Sequence, residues 1–241
     1  MGAMRRTVLG ILAACLVLLA TACSVSTKDP NYVPPAPLPP LEQLRQVPVS
    51  QPSTLASTDG TLAFVTADHN VVCAMTSARG EHLDLPYEPN SYADNANNKL
   101  AIVPVVQCEL AVYPKPQAAD IKDDCGGTGL GYLGGTVLLR PDKAVYGACR
   151  SGVTHMESEF GPKGSRNGPI SRLPVLEDGQ NIERNGLRCS AYNGGVACGN
   201  VSAGVAFFVS RTDYQLISDG GKPAGGPGPS SSPQPSYTRP S

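Results

Sequence analysis

The sequence contains no tryptophan, four phenylalanines and three histidines, and its aromatic share is 5%. Large rings carry much of the buried area in ordinary cores, so a folded domain here needs a further source of stability. The histidines, His69, His82 and His155, form no i,i+4 pair, which excludes the helical metal-ligand motif. His155-Met156-Glu157 has the H-x-E spacing of zinc deaminases, but the P-C-x-x-C partner of that motif is missing. No nucleophile elbow, S-x-x-K or phosphate-cradling loop occurs. The glycine-rich run Cys125-Gly126-Gly127-Thr128-Gly129 leads towards a strand pattern, whereas a dinucleotide site needs a helix N-terminus there.

Charge is sparse as well. Charged residues make up 16% of the chain, the formal net charge is −1 and there is no basic run. Such a chain offers phosphate no electrostatic footprint, which argues against nucleic-acid binding. Beyond residue 22 no apolar run approaches the roughly 18 residues that span a bilayer. Eight cysteines occur without a C-x-x-C pair, which sets aside zinc-ribbon and thioredoxin-type chemistry.

What is present points to export. Arg5-Arg6 precede an apolar stretch over 7–19, broken only by Gly10, and Ala20, Thr21 and Ala22 lead to Cys23. That order is a signal-peptide order, and a small residue before cysteine resembles the lipobox of bacterial lipoproteins. The resemblance implies cleavage after residue 22, diacylglycerol on the Cys23 thiol and acylation, typically by palmitate, of the new N-terminus. Two or more acyl chains give stable attachment where one does not. Ala20 departs from the leucine that this pattern prefers. Leu12-Ala13-Ala14-Cys15 matches it better, but it would strand the apolar 16–19 on the mature chain.

Eight prolines lie between Pro30 and Pro52, so 23–53 reads as a polyproline-type tether from the membrane. A short helix candidate, 41–47, falls inside it. Residues 219–241, rich in Gly, Pro and Ser, read as a disordered tail. Between them, 54–218 carries short runs rich in β-branched residues at 62–66, 71–75, 100–106, 136–139, 144–146 and 205–209. Turn residues punctuate these runs. The expected fold is mainly β, a single antiparallel sandwich or open barrel. Residues 205–209 are expected as a buried strand and Arg211 at its edge.

Six cysteines fall in that domain, an even number that predicts three disulfides in an exported protein. One pairing follows from geometry. A two-residue turn at Asn193-Gly194, the strongest short hairpin signal, places Cys189 opposite Cys198 on a non-hydrogen-bonded pair. There Cα atoms stand about 4.5 Å apart, within disulfide range; a turn at Gly194-Gly195 would break that register. Cys125 with Cys149 is favoured by a second hairpin signal, Arg140-Pro141-Asp142-Lys143, between them. Cys73 with Cys108 follows by elimination. Loop-closure estimates for the three are roughly 2.7, 3.5 and 3.8 kcal/mol.

The motifs Gly186-Leu-Arg-Cys189, Gly195-Val-Ala-Cys198-Gly-Asn200, Gly204-Val-Ala-Phe207-Phe-Val-Ser210-Arg211 and Tyr214 resemble a family of uncharacterised actinobacterial secreted and lipid-anchored proteins. Phe64-x-Thr66, Asn70-Val-Val-Cys73 and Cys108-Glu109 fit the opening hairpin of the same family. The resemblance covers about two-thirds of the domain and implies the disulfides and the extracytoplasmic compartment, but no activity. The insertion 77–100 departs from it.

No cofactor and no metal site is expected. Asp84, Glu88 and Asp94 in the insertion fit no calcium-loop spacing. Tyr87 and Tyr92, between prolines and polar residues, are the expected partner surface, since tyrosines with adaptable neighbours suit recognition. The functional expectation is a non-enzymatic binding or envelope-organising lipoprotein, its partners the membrane and an envelope protein. The rivals are an envelope hydrolase with His155 as base and a binder of a small ligand or sugar.

Overall fold

A computed structural model describes residues 37–50, 55, 61–80, 82–83, 85–87, 100–121, 125–127, 131–218 and 222–225. The described elements are, in order, α1 (Pro40–Gln46), β1 (Leu62–Thr66), β2 (Val71–Arg79), β3 (His82–Leu83), β4 (Ile102–Leu110), β5 (Thr136–Arg140) and β6 (Lys143–Tyr146). They continue with α2 (His155–Phe160), a 3₁₀ turn (Ile170–Arg172), β7 (Val175–Leu176), β8 (Asn181–Arg184), β9 (Leu187–Tyr192), β10 (Gly195–Asn200), β11 (Val205–Ser210), β12 (Tyr214–Ser218) and β13 (Lys222–Gly225). The protein is mainly β, as its alternating patterns predict, and is built from two sheets. The first runs β6-β5-β4-β2-β1-β7 with β3 beside β2, and the second runs β13-β12-β11-β10-β9-β8. Pairing is antiparallel except for β7, which lies parallel to β1.

Local chemistry sets the hairpins. Asn193 (φ 52°) and Gly194 (φ 68°) turn β9 into β10, and both need the left-handed region that the twisted two-residue hairpin demands. Tyr192 therefore faces Gly195, and Cys189 faces Cys198. Asn185 (φ 50°) and Gly186 (φ 77°) repeat this turn between β8 and β9. Pro141-Asp142 joins β5 to β6, with Arg140 opposite Lys143. Between β1 and β2, Asp68 Oδ1 accepts from Thr66 Oγ1 at 2.7 Å and from the Asn70 N–H at 3.0 Å.

The core lies between the sheets. Phe64, Met75, Val106, Leu110, Val137 and Leu139 meet Ile182, Val196, Phe207, Val209 and Tyr214 there, all buried. Strand alternation sends the neighbouring side chains outward. On the second sheet these are Ala197, Ala206, Phe208 and Ile217, and α1 covers them with Leu41 and Leu44. Residues 205–210 are thus buried throughout, on both faces.

That packing corrects the tether expectation. Pro39 and Pro40 start a helix where proline is tolerated, and Leu41 and Leu44, one turn apart, share the face that is buried. Asn181 Nδ2 donates to the carbonyls of Leu44 (3.3 Å) and Val47 (2.8 Å), and Arg188 Nη1 donates to Leu44 O at 3.1 Å. The Ser50 N–H reaches Asn181 O at 2.6 Å. Residues 40–50 therefore belong to the folded domain, which begins before 54. The tail expectation is corrected at its start: residues 222–225 pair with β12 as an edge strand, Ser218 opposite Lys222 and Ile217 opposite Pro223. Proline is compatible with an edge because its missing N–H can face away from the ladder. Residues 1–36, with Cys23 and the export segment, and 226–241 lie outside the described residues.

Candidate functional site

All three disulfides form as the sequence predicts: Cys73–Cys108, Cys125–Cys149 and Cys189–Cys198. Two of them join residues that face each other across a ladder, Cys73 with Cys108 on β2 and β4 and Cys189 with Cys198 on β9 and β10. In both, the Cα atoms are 4.1 Å apart, close to the spacing of a non-hydrogen-bonded pair. Gly131 seats the third: a Cβ there would stand 2.4 Å from Cys125 Sγ and 3.2 Å from Cys149 Sγ. Gly131 thus serves close packing around this disulfide, while residues 128–130 of the glycine-rich segment lie outside the described residues.

The outer face of the first sheet is divided. Over β1 and β2 it is covered by Met156 of α2, Ile170 of the 3₁₀ turn, and Leu85 and Tyr87, which pack on Val65, Val72 and Ala74. Tyr87 is only 4% exposed and meets His155 edge to face with ring centroids 5.5 Å apart. This corrects the expectation that Tyr87 presents a contact surface: proline and polar neighbours in the sequence do not outweigh the apolar cover its ring supplies to the sheet. Tyr92 lies outside the described residues, as do Asp84, Glu88 and Asp94.

Over β4, β5 and β6 the same face is not covered by any of the described residues. A groove of about 580 Å³ is lined by Val103, Gln107, Thr136, Leu138, Arg140, Asp142, Lys143, Val145 and Ala148. Register explains the lining: Gln107 pairs with Leu138 and Leu138 with Val145, so these three form one row across the strands on one face. Arg140 and Lys143 close the hairpin end, and Arg140 Nη2 donates to Gly80 O at 3.2 Å. The arrangement offers apolar floor, an amide, a hydroxyl and a predominantly cationic rim, which suits contact with a polar segment bearing apolar side chains.

Beside the groove, a buried ionic network ties the 150–160 segment to the sheet. Glu157, 8% exposed, receives Arg150 Nη1 at 2.7 Å, the Tyr113 hydroxyl at 3.1 Å and the Thr154 N–H at 2.8 Å. Thr154 Oγ1 accepts the Glu157 N–H in return, a reciprocal cap that starts α2. Arg150 also donates through Nη2 to the Tyr113 hydroxyl at 2.8 Å and through Nε to Gly134 O at 3.0 Å. Burial pushes the Tyr113 phenol well above its ordinary range, the Arg150 charge opposing and Glu157 reinforcing the rise. Glu109, paired with Thr136 at the groove end, accepts the Met156 N–H at 3.1 Å. Its other oxygen lies 3.6 Å from His155 Nδ1, whose side chain is 41% exposed. Glu159 accepts the N–H groups of Ile170 and Ser171. These buried carboxylates secure turns and helix starts.

Three sulfur atoms, those of Cys73, Cys108 and Cys198, lie within 4.8 Å of one another. Each is in a disulfide, so none is a thiolate available to a metal. His69 stacks on Phe160 at 5.1 Å, far along the chain from His155. Arg211 reaches the β1–β2 turn, its Nε 3.4 Å from Asp68 Oδ2. The groove residues were not singled out from the sequence, although the Thr136-Val-Leu-Leu-Arg140 and Lys143-Ala-Val-Tyr146 runs carried the strand signal. The Thr154-x-x-Glu157 spacing was a legible helix start, whereas nothing local links Tyr113 and Arg150 to Glu157.

Among the described residues no helix is long and apolar enough to cross a membrane. Comparisons with protein-family models, curated proteins and solved structures return no match to this chain.

Proposed function

We propose that this protein is a lipid-anchored, extracytoplasmic binding module of the cell envelope that engages an envelope protein through the β4–β6 half of its first sheet. The observation that carries the reading is the groove over β4, β5 and β6, next to the part of the face over β1 and β2 that described residues cover. Its row of Gln107, Leu138 and Val145 lies on three paired strands, of which β4 is also crosslinked to β2 by Cys73–Cys108. The export segment and Cys23 supply the anchor, and three disulfides in one domain agree with an oxidising compartment.

The test is site-specific photocrosslinking in intact cells from position 145, followed by mass spectrometry. A discrete envelope-protein adduct that disappears in Leu138→Asp supports the reading. Adducts unaffected by Leu138→Asp, or none, overturn it. Intact-mass analysis of the mature protein checks the anchor separately, through the acyl mass expected on Cys23.

A second reading, an envelope hydrolase with His155 as base, starts from the approach of Glu109 to His155 Nδ1 at 3.6 Å, which is longer than a hydrogen bond. It requires that a serine-hydrolase probe label the protein and that labelling vanish in His155→Ala.

A further inference from the structure

The two ladder disulfides face each other. Cys73 and Cys108 belong to the first sheet and Cys189 and Cys198 to the second, and all four are fully buried in the shared core. The Sγ atoms of Cys73, Cys108 and Cys198 lie within 4.8 Å of one another, although the two bonds are far apart in sequence. Cys125–Cys149 sits among loops beside Arg150 and is not part of this cluster.

We infer that these four cysteines form one exchange set, in which a crosslink can pass from within a sheet to between the sheets. The attacker in such exchange is a thiolate, and it displaces one sulfur of a neighbouring disulfide. When a dithiol opens Cys189–Cys198, it closes to its own disulfide and leaves two thiols. Local opening of the core, which the dithiol needs as well because these sulfurs are buried, lets Cys198 give its proton to a solvent base, and its thiolate attacks Sγ of Cys73. The Cys198–Cys73 bond forms as Cys73–Cys108 breaks, and Cys108 leaves as a thiolate that takes up a proton. Attack on Cys108 instead releases Cys73. The exchange itself consumes no oxidant or reductant.

The consequence is a covalent clasp between the sheets. Loss of the hairpin bond does not simply loosen the second sheet, because the remaining core bond can relocate to tie β10 directly to β2 or β4. The same step run in reverse converts an inter-sheet bond formed early in oxidation into Cys73–Cys108 and frees Cys198. That thiol then closes on Cys189 by exchange with a second, external disulfide, which is reduced to two thiols.

The test uses the full chain. Cys189→Ser, held in mildly alkaline buffer and quenched with acid, is mapped by mass spectrometry. A peptide joining Cys198 to Cys73 or Cys108 is expected, with matching loss of the Cys73–Cys108 peptide. In Cys108→Ser, the Cys73 thiol is expected to capture Cys198 and release Cys189. Cys149→Ser, which frees Cys125, is expected to leave both core bonds in place. If both core variants retain native circular dichroism and only their remaining native bond, the inference is overturned. Should the variants fail to fold, acid-trapped intermediates of wild-type oxidative refolding decide: inter-sheet bonds among them support the exchange set, and their absence refutes it.

Discussion

Leu44 of α1 lies over Gly199 of β10 so closely that a Cβ at residue 199 would stand 2.9 Å from Leu44 Cδ1. It would also stand 2.8 Å from both Ala206 Cβ and Val205 O. Two of those three contacts belong to a strand that is buried on both faces. Gly199→Ala is therefore expected to destabilise the domain by about 1–3 kcal/mol through overpacking. Leu44→Ala, which empties the other side of the contact, should cost about 2–5 kcal/mol. Leu38→Ala, at a position 37% exposed, should be close to neutral. Urea unfolding of the three variants checks this, and equal midpoints would show that α1 is not part of the cooperative unit.

The Arg150–Glu157 pair should behave unlike the pair at the surface. Their side chains are 13% and 5% exposed, so Arg150→Ala leaves a buried carboxylate and a buried phenol without their cation. A loss of about 3–5 kcal/mol is expected. Arg211→Ala breaks an ion pair whose side chains are 47% and 38% exposed and should cost less than about 1 kcal/mol. The difference should persist in high salt, because screening acts on exposed charges far more than on buried ones.

Four phenols, those of Tyr113, Tyr146, Tyr192 and Tyr214, are held above the ordinary tyrosine value of 10.0, burial being the largest cause in each. Tyr146 and Tyr214 stack with centroids 4.1 Å apart, and their hydroxyls donate to Pro114 O and to Asp120 Oδ2, each at 2.6 Å. A raised folded value means that the folded state binds the proton more tightly than the unfolded chain. This contribution to stability is complete below about pH 10 and is lost as pH climbs beyond it. Alkaline absorbance titration should thus show an early, reversible set of tyrosines and a late set that ionises together with loss of circular dichroism. A single wave near pH 10 with the fold intact would contradict the burial.

Gly194 and Gly186 occupy equivalent turns at φ 68° and 77°, and a Cβ at either would meet nothing within 4 Å. Substitution there is governed by backbone strain alone. Gly194→Ala and Gly186→Ala should each cost about 1–2 kcal/mol, the left-handed penalty for an L-residue. Thermal melts of the single variants and the double variant should show nearly additive losses, since the turns lie at opposite ends of β9.

The β9–β10 register was legible because everything that sets it is local: a turn type, a residue count and the alternation of the strand. Asn185-Gly186 carried the same signal eight positions upstream, and only its lack of a flanking cysteine pair made it less conspicuous. The burial of Tyr87 and the docking of α1 were not legible in this way. Both depend on which face of a distant sheet is left uncovered, and a seven-residue helix between prolines has the same local sequence whether it hangs free or packs. The groove is of the same kind, since a row formed by Gln107, Leu138 and Val145 exists only after three strands are placed side by side. The edge strand β13 was hidden by its composition, for Lys222-Pro-Ala-Gly225 has little strand propensity and pairs because β12 offers it a ladder.

The docking of α1 also limits any leash ahead of the domain. Leu41 and Leu44 are buried against the second sheet and Ser50 is tied to Asn181, so residues 40–50 contribute no reach to an attachment upstream of them. A tether expected over 23–53 is shorter by those residues, a difference of roughly 34 Å at about 3.1 Å per extended residue.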